Sequence, residues 1–446
     1  MTILCGLGIA LSSCCNATGE KRDEFKYIAD EFADLQILRY QIPGWDALSL
    51  NQKALIYHLS EAGKCGRDIL FDQNFKYNLR IRKSLEKIIR EYEGDRECEE
   101  FQNFLTYAKR VFFSNGIHHH YAEDKFTPQC TQEYFKGLMV ATAQEDMCEE
   151  LLPVIFDPEL YPQRKYTGKE KDLLLGSAVN FYCGNITKDE ANNFYNKLEN
   201  PKDTTPVSYG LNSKLVKENG QIKEIVYKAD GLYGKSIQQI VKHLQAAAEY
   251  AENQAQKDYI AQLIEYYNTG SLETWDEYNV AWVQDTISQV DFVNGFIESY
   301  NDPLGRKAAW EGLVNFKDAE ASKRAELISE NAQWFEDHSP VDPRFKKEEV
   351  KGVTAKVINV TALSGDSYPA APIGINLPNA DWIRREHGSK SVTIANLTNA
   401  YDMAAQESPK NTLAEFGWSE EEIAFEKKYG NLTNDIHTDL HECLGH

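Results

Sequence analysis

None of the nine cysteines falls in a CxxC pair. An odd count without framework spacing argues against both a disulfide scaffold and a cysteine-rich zinc module. Basic side chains are scarce: 48 Lys and Arg stand against 69 Asp and Glu, a formal charge of −21. An anionic phosphate backbone would be repelled by such a surface, which argues against nucleic acid as a partner. No segment approaches the ~20 apolar residues a membrane span needs. Internal repeats and low-complexity tracts are missing as well. What the 446 residues do contain is enough apolar material, 42% hydrophobic and 11% aromatic, to bury substantial cores. At roughly 150 residues per domain this length predicts two or three domains. The acidic runs at 93–100 and 145–150 read as solvated faces, and the overall acidity suits ligands that carry positive charge, such as a free peptide amino terminus.

The first residues admit two readings. An apolar run at 3–11 leads into Leu11-Ser12-Ser13-Cys14, a pattern similar to a bacterial lipoprotein signal, which would make residues 1–20 a signal or anchor lipidated at Cys14. On that reading the protein sits at the bacterial envelope. The run is short and no Lys or Arg precedes it, so a buried strand in a cytoplasmic protein is the alternative.

Along the chain the apolar spacing is helical from Leu48 to about Ile155, with Leu55, Ile56 and Leu59, then Leu85, Ile88 and Ile89, recurring at three and four. Residues 202–220 read as a loop around PVSYGLNS, because Pro, Gly, Asn and Ser cluster there. The pattern predicts one long helix over 236–267, stopped by Asn268-Thr269-Gly270. The β-branched stretch VTAKVINVT at 353–361 predicts a strand, and the three prolines of SYPAAPIGINLPN exclude helix just after it. Long helical runs with strands gathered in one region predict an α+β fold.

The last six residues, HECLGH, place His441 and His446 five apart with Glu442 beside the first. At about 100° per residue, histidines four apart share a helix face, whereas five apart they diverge. Sharing one metal therefore requires a looser turn, either a local i→i+5 bulge or a helix end, and Gly445 suits both. Upstream, Leu432, Ile436, Leu440 and Leu444 form a stripe expected to bury the helix, with Asn431 or Asn434 as its cap. The regular four-residue pair His437 and His441 is the rival, but Thr438 stands where a catalytic base should be. His118, His119 and His120 are consecutive, cannot all face one ion on regular structure, and are read as surface residues.

HECLGH resembles the H-E-x-x-G-H signature of the dipeptidyl peptidase III family, zinc exopeptidases whose motif carries the extra residue. GRDILFDQN (66–74), PVSYGLNS (206–213), GFIESYNDPLG (295–305) and PIGINLPN (372–379) are similar to family segments in the same order. The resemblance runs from about residue 30 to the last residue and is closest to bacterial members. It implies a mostly helical two-lobed protein with a wide cleft. The lower lobe, 21–310 plus 355–405, would hold a small β-barrel core that grips the peptide. The upper, zinc-carrying lobe would take 311–354 plus 406–446.

The resemblance also implies roles. His441 and His446 match the zinc histidines and Glu442 the catalytic glutamate. Asn376 and Asn379 match the asparagines that hold the peptide's N-terminal part. Pro372 and Ile373 fall where backbone groups pair with substrate. Asp291 falls where other members use a glutamate for the free amine, and Val293 where they carry a transition-state tyrosine. The expected activity is zinc-dependent release of N-terminal dipeptides from oligopeptides, with one zinc per chain. The family's third ligand is a glutamate downstream of the signature, so a chain stopping at His446 is expected to be inactive alone. A non-catalytic peptide-binding fragment, or an envelope oligopeptide-binding lipoprotein, is the alternative.

Overall fold

A computed structural model describes residues 25–350, 353–369, 371–407 and 412–445. The candidate leader with Cys14, and His446, lie outside the described residues. Among the described residues no helix is long and apolar enough to cross a membrane.

Among the described residues nine strands form three sheets. β1 (Ile28–Phe32) pairs with β2 (Leu35–Leu38), and β3 (Ser213–Glu218) with β4 (Gln221–Val226). The third sheet contains β5 (Val290–Glu298), β6 (Ala309–Lys317), β7 (Val353–Gly365), β8 (Gly374–Leu377) and β9 (Ser389–Ile394), in the order β5-β6-β7-β9-β8. Only β7 and β9 run parallel. β5 and β8 are its two edges, so the expected small barrel is here an open five-stranded sheet. The lobe boundaries expected at 310/311 and 354/355 fall inside β6 and β7. Both strands are paired on two sides, and cutting an interior strand would strand its ladder groups, so the sheet keeps both whole.

Eight of the nine residues of β5, and eight of nine in β6, are buried. That continuous burial arises because helices cover the sheet. Phe292, Phe296, Trp310 and Leu313 pack with Leu55 and Leu59 of the helix Leu50–Cys65, and with Ile240, Tyr259 and Tyr278 of three later helices. The i, i+3, i+4 spacing of Leu55, Ile56 and Leu59 is thus the buried stripe, and Ser49 with Gln52 forms a capping box at its start. A second core, with Phe71, Leu85, Phe104, Phe135 and Leu151, unites the helices between 67 and 156.

Three expectations change. The helix expected over 236–267 is two, Gly234–Ala248 and Gln254–Thr269, because the Asn253 side chain accepts from the Gln256 N–H at 2.8 Å and starts a new helix. The loop expected over 202–220 ends at β3, and Asn219-Gly220, both at positive φ, turns the chain into β4; Asn-Gly is the dipeptide such a hairpin favours. The signature helix starts at Glu420, capped by Ser419, which puts Asn431 and Asn434 in its interior. Leu432 and Ile436 on it are exposed rather than buried.

Candidate active site

The helix Glu420–Leu440 does not stop at the signature. It continues as a π-helical turn over His441–Gly445, which is the local loosening that a five-residue histidine spacing needs. The turn is fixed from below. Asp439, fully buried, takes Arg324 Nε at 2.5 Å on one oxygen and Thr393 Oγ1 at 3.0 Å on the other. Leu444 packs against Ala325 and Val357. The signature is thereby tied to β7, β9 and the helix Ala319–Glu330.

Beneath it runs the edge strand β8. The Glu442 carboxylate rests on Gly374, so closely that a Cβ at that position would overlap it. Glycine there permits the approach of backbone and carboxylate. Glu442 is buried, and its Oε2 has no hydrogen-bond partner among the described residues. Burial pushes its pKa above the usual carboxylate range, opposed by His441. His441, Glu442, Pro372, Asn376 and Asn379 line one cavity of about 520 Å³. His437 is exposed on the helix outside it.

Three acidic residues not anticipated by number share this cavity: Glu298 at the end of β5, Glu311 in β6 and Asp366 just after β7. The β5–β6 register shifts between Phe296 and Glu298, and such a bulge re-aims the side chain that follows it. Burial raises Glu298, while a hydrogen bond from Asn379 and the Arg384 charge pull it back. Burial pushes Glu311 well above its ordinary value, with Glu298 and Asp366 adding to the effect. Arg384 braces the strand end through Pro378 O (2.6 Å) and Asn376 O (2.9 Å). Asn376 donates to Ser391 Oγ, leaving its own Oδ1 buried without a partner among the described residues.

Asp291 does not reach this cavity. It is buried, binds Lys390 Nζ at 2.8 Å and accepts from Trp282 Nε1 at 2.8 Å. Burial would raise it, but Lys390 and Lys356 outweigh that and hold it below its ordinary value. A carboxylate so engaged has no oxygen to offer a peptide amine, and the amine-anchor reading of Asp291 is corrected. Val293 does line the cavity, and so does Tyr300, seven residues on. Ile373 is 46% exposed, is not part of the cavity wall, and its carbonyl accepts from Ile394 N at 2.8 Å. Its C=O is therefore committed to the sheet. His118 is buried rather than on the surface: its Nε2 meets Tyr161 O at 2.9 Å, and burial lowers its pKa to about 3. The signal for Glu298 and Tyr300 was present in GFIESYNDPLG.

As to the metal, the π-turn and the orphaned Glu442 oxygen fit a zinc beside the signature. Among the described residues no group of three or more His, Cys, Asp or Glu is arranged to hold an ion.

The signature sits on a π-helical turn over the edge of the five-stranded sheet. The profile of Peptidase family M49 matches residues 171–446. Dipeptidyl peptidase 3 of Rattus norvegicus is 26% identical over 389 residues, covering 78% of this chain and 50% of that protein. The Homo sapiens protein of the same name is 25% identical over 449 residues, covering 90% and 58%. The structure of DPP III from Caldithrix abyssi superposes with a TM-score of 0.62 at 20% identity, over 88% of this chain and 64% of that one. The chain belongs to peptidase family M49, the dipeptidyl peptidase III family. It spans between half and three-fifths of the length of these two curated relatives.

Proposed function

We propose that this cavity binds the free amino end of an oligopeptide and cleaves after its second residue. The observation that carries the proposal is the placement of Glu442 over Gly374 at one end of edge strand β8, with Glu298, Asn376 and Asn379 at the other. A peptide added to the free edge of β8 would be held by main-chain hydrogen bonds, which tolerate varied side chains; Pro372, on the cavity wall two residues before β8, would extend that edge. The amine, protonated at neutral pH with a pKa near ~8, would meet the Glu298 carboxylate and the unpaired Asn376 Oδ1. Two extended residues, about 7 Å, then separate the amine from the carbonyl beside Glu442.

His441 and His446 would hold the zinc. When bound, zinc polarises the scissile carbonyl and acidifies its water. Glu442, whose pKa burial raises, would accept the proton from that water and deliver it to the leaving amine. Tyr300, on the wall of the same cavity, would donate its hydroxyl to the carbonyl oxygen as charge develops there.

Mass spectrometry of a pentapeptide incubated with the zinc-loaded polypeptide, extended through the downstream glutamate that the resemblance implies, tests the proposal. The N-terminal dipeptide should be the first product, and an N-acetylated copy should stay intact. Single-residue release, or equal cleavage of the acetylated peptide, would refute it.

A further inference from the structure

The segment 366–369 is a partition between two cavities. Asp366 and Ser367 line the peptide cavity, while Asp366, Tyr368 and Pro369 line a second one of about 400 Å³ behind it. A strip of chain flanked by a cavity on each side has few packing contacts to fix it, so hydrogen bonds decide where it stands. In front, Ser367 Oγ donates to Glu311 at 3.1 Å and Asn301 Nδ2 to Asp366 at 2.9 Å. At the strand end, Asp366 N donates to Trp310 O at 3.0 Å and Tyr368 N to Gly365 O at 3.1 Å. From behind, Phe113 meets the Tyr368 ring at 6.1 Å, and Asn115 Nδ2 donates to Tyr368 O at 2.6 Å. That is the one hydrogen bond on this side among the described residues. The partition belongs to the amine end of the peptide cavity: burial comes first in raising Glu298 and Glu311, and the Asp366 charge adds to both.

Asn115 is itself firmly held. It lies two residues past the helix Glu99–Phe113 with φ +53°, a left-handed conformation that asparagine tolerates better than most residues. Its carbonyl accepts from Asn74 Nδ2 at 3.1 Å and Asn78 Nδ2 at 3.4 Å, and all three asparagines are buried. Asn78 Oδ1 in turn takes Ile117 N at 3.1 Å. Asn74 closes the GRDILFDQN segment, whose place in the function is otherwise unexplained. Its neighbour Gln73 brackets Ala309 of β6, donating from Nε2 to Ala308 O at 3.0 Å and accepting from Trp310 N at 2.8 Å. The helix Arg67–Asn74 thus fixes the strand that carries Glu311 directly and, through Asn115, the partition bonded to it.

We propose that Asn115 is a positioning residue for peptide binding, its amide setting the partition of Asp366 and Ser367 against Glu298 and Glu311 where the amino end of a peptide enters. The inference rests on the function proposed above. Asn115 is not part of the peptide-cavity wall, so it acts through the partition without touching substrate. A displaced partition weakens binding shared by the ground and transition states, which raises KM and spares kcat.

Two variants test this in the zinc-loaded, extended polypeptide with the same pentapeptide. Asn115→Gly keeps the left-handed backbone and removes the link. Asn115→Asp keeps the shape but turns the donor into an acceptor facing Tyr368 O. KM should rise about fivefold in Asn115→Gly, the value of a typical net hydrogen bond, and further in Asn115→Asp, with kcat held within about twofold. Hydrogen exchange gives a readout that general destabilisation does not mimic. In Asn115→Gly the amides of Asp366 and Tyr368 should exchange about fivefold faster, while that of Trp310, held by Gln73, keeps its rate. The glycine variant decides alone if aspartate prevents folding. An unchanged KM, a loss confined to kcat, or faster exchange spread evenly over the sheet overturns the inference. If the parent polypeptide cleaves an acetylated pentapeptide as well as the free one, the proposed function falls and this inference with it. If it requires the free amine and the variants leave KM unchanged, the inference alone falls.

Discussion

Glu442→Gln should leave zinc content and unfolding temperature unchanged while reducing peptide cleavage by about 10²–10⁴-fold, the range that a positioned general base supplies. The substitution keeps the size and shape of the side chain above Gly374, so the β8 edge and the π-turn need not rearrange. What it removes is the ability to accept a proton. Burial of this carboxylate raises its pKa, and a cation beside it would pull the other way. Metal analysis alongside the rate assay decides the matter: lost cleavage with lost zinc would make Glu442 a structural support of the metal turn instead of the base.

The second large effect belongs to Glu298. Glu298→Gln should lower kcat/KM about 10–100-fold, the value of one charge-assisted hydrogen bond at ~1.5–3 kcal/mol. It should also reduce the preference for a free amine over an acetylated one. Asp291→Asn is the contrasting control. It breaks a buried pair, leaving Lys390, 2% exposed, without its counter-charge. Removing one partner of such a pair typically costs about 3–5 kcal/mol of stability. Its expected signature is a lower unfolding temperature with the free-amine preference intact. If Asp291→Asn abolished that preference while Glu298→Gln spared it, the two assignments would have to be exchanged.

The contrast between these two acids shows what a linear sequence conveys about this site. HECLGH announced its own distortion, because a five-residue histidine spacing with a glycine has few geometric solutions, and the π-turn at His441–Gly445 is one of them. PIGINLPN was legible as extended edge or loop, since its prolines exclude helix and discourage an interior strand; it supplies the edge strand β8. Glu298 was not singled out from the sequence, where only Asp291 was named for the amine. Both lie in β5, and period-two alternation assigns the face only as far as the strand is regular. The register shift at Phe296/Glu298 decides which acid reaches the cavity, and a bulge leaves little trace in composition. Lys390, which neutralises Asp291, is 99 residues away, a pairing that spacing along the chain cannot reveal.

The fold follows the same division. Local periodicity located the stripe of the helix Leu50–Cys65 and the strand at 353–365. It merged two helices into one across Asn253, because the apolar spacing continues through a break made by a single side-chain cap. It also expected Leu432 and Ile436 to be buried, whereas they lie exposed. An amphipathic stripe specifies that a face is apolar, not what covers it. The order β5-β6-β7-β9-β8 depends on pairings between distant segments; the family resemblance anticipated a barrel and no strand order.

The account depends on the metal turn, and zinc-edge anomalous diffraction from zinc-loaded crystals examines it directly. The predicted result is a single zinc peak bonded by imidazole nitrogens of both His441 and His446, with the Glu442 carboxylate beside it but not among its ligands. Zinc bound by only one of those rings, or rings directed to different sides of the turn with the metal present, would contradict it.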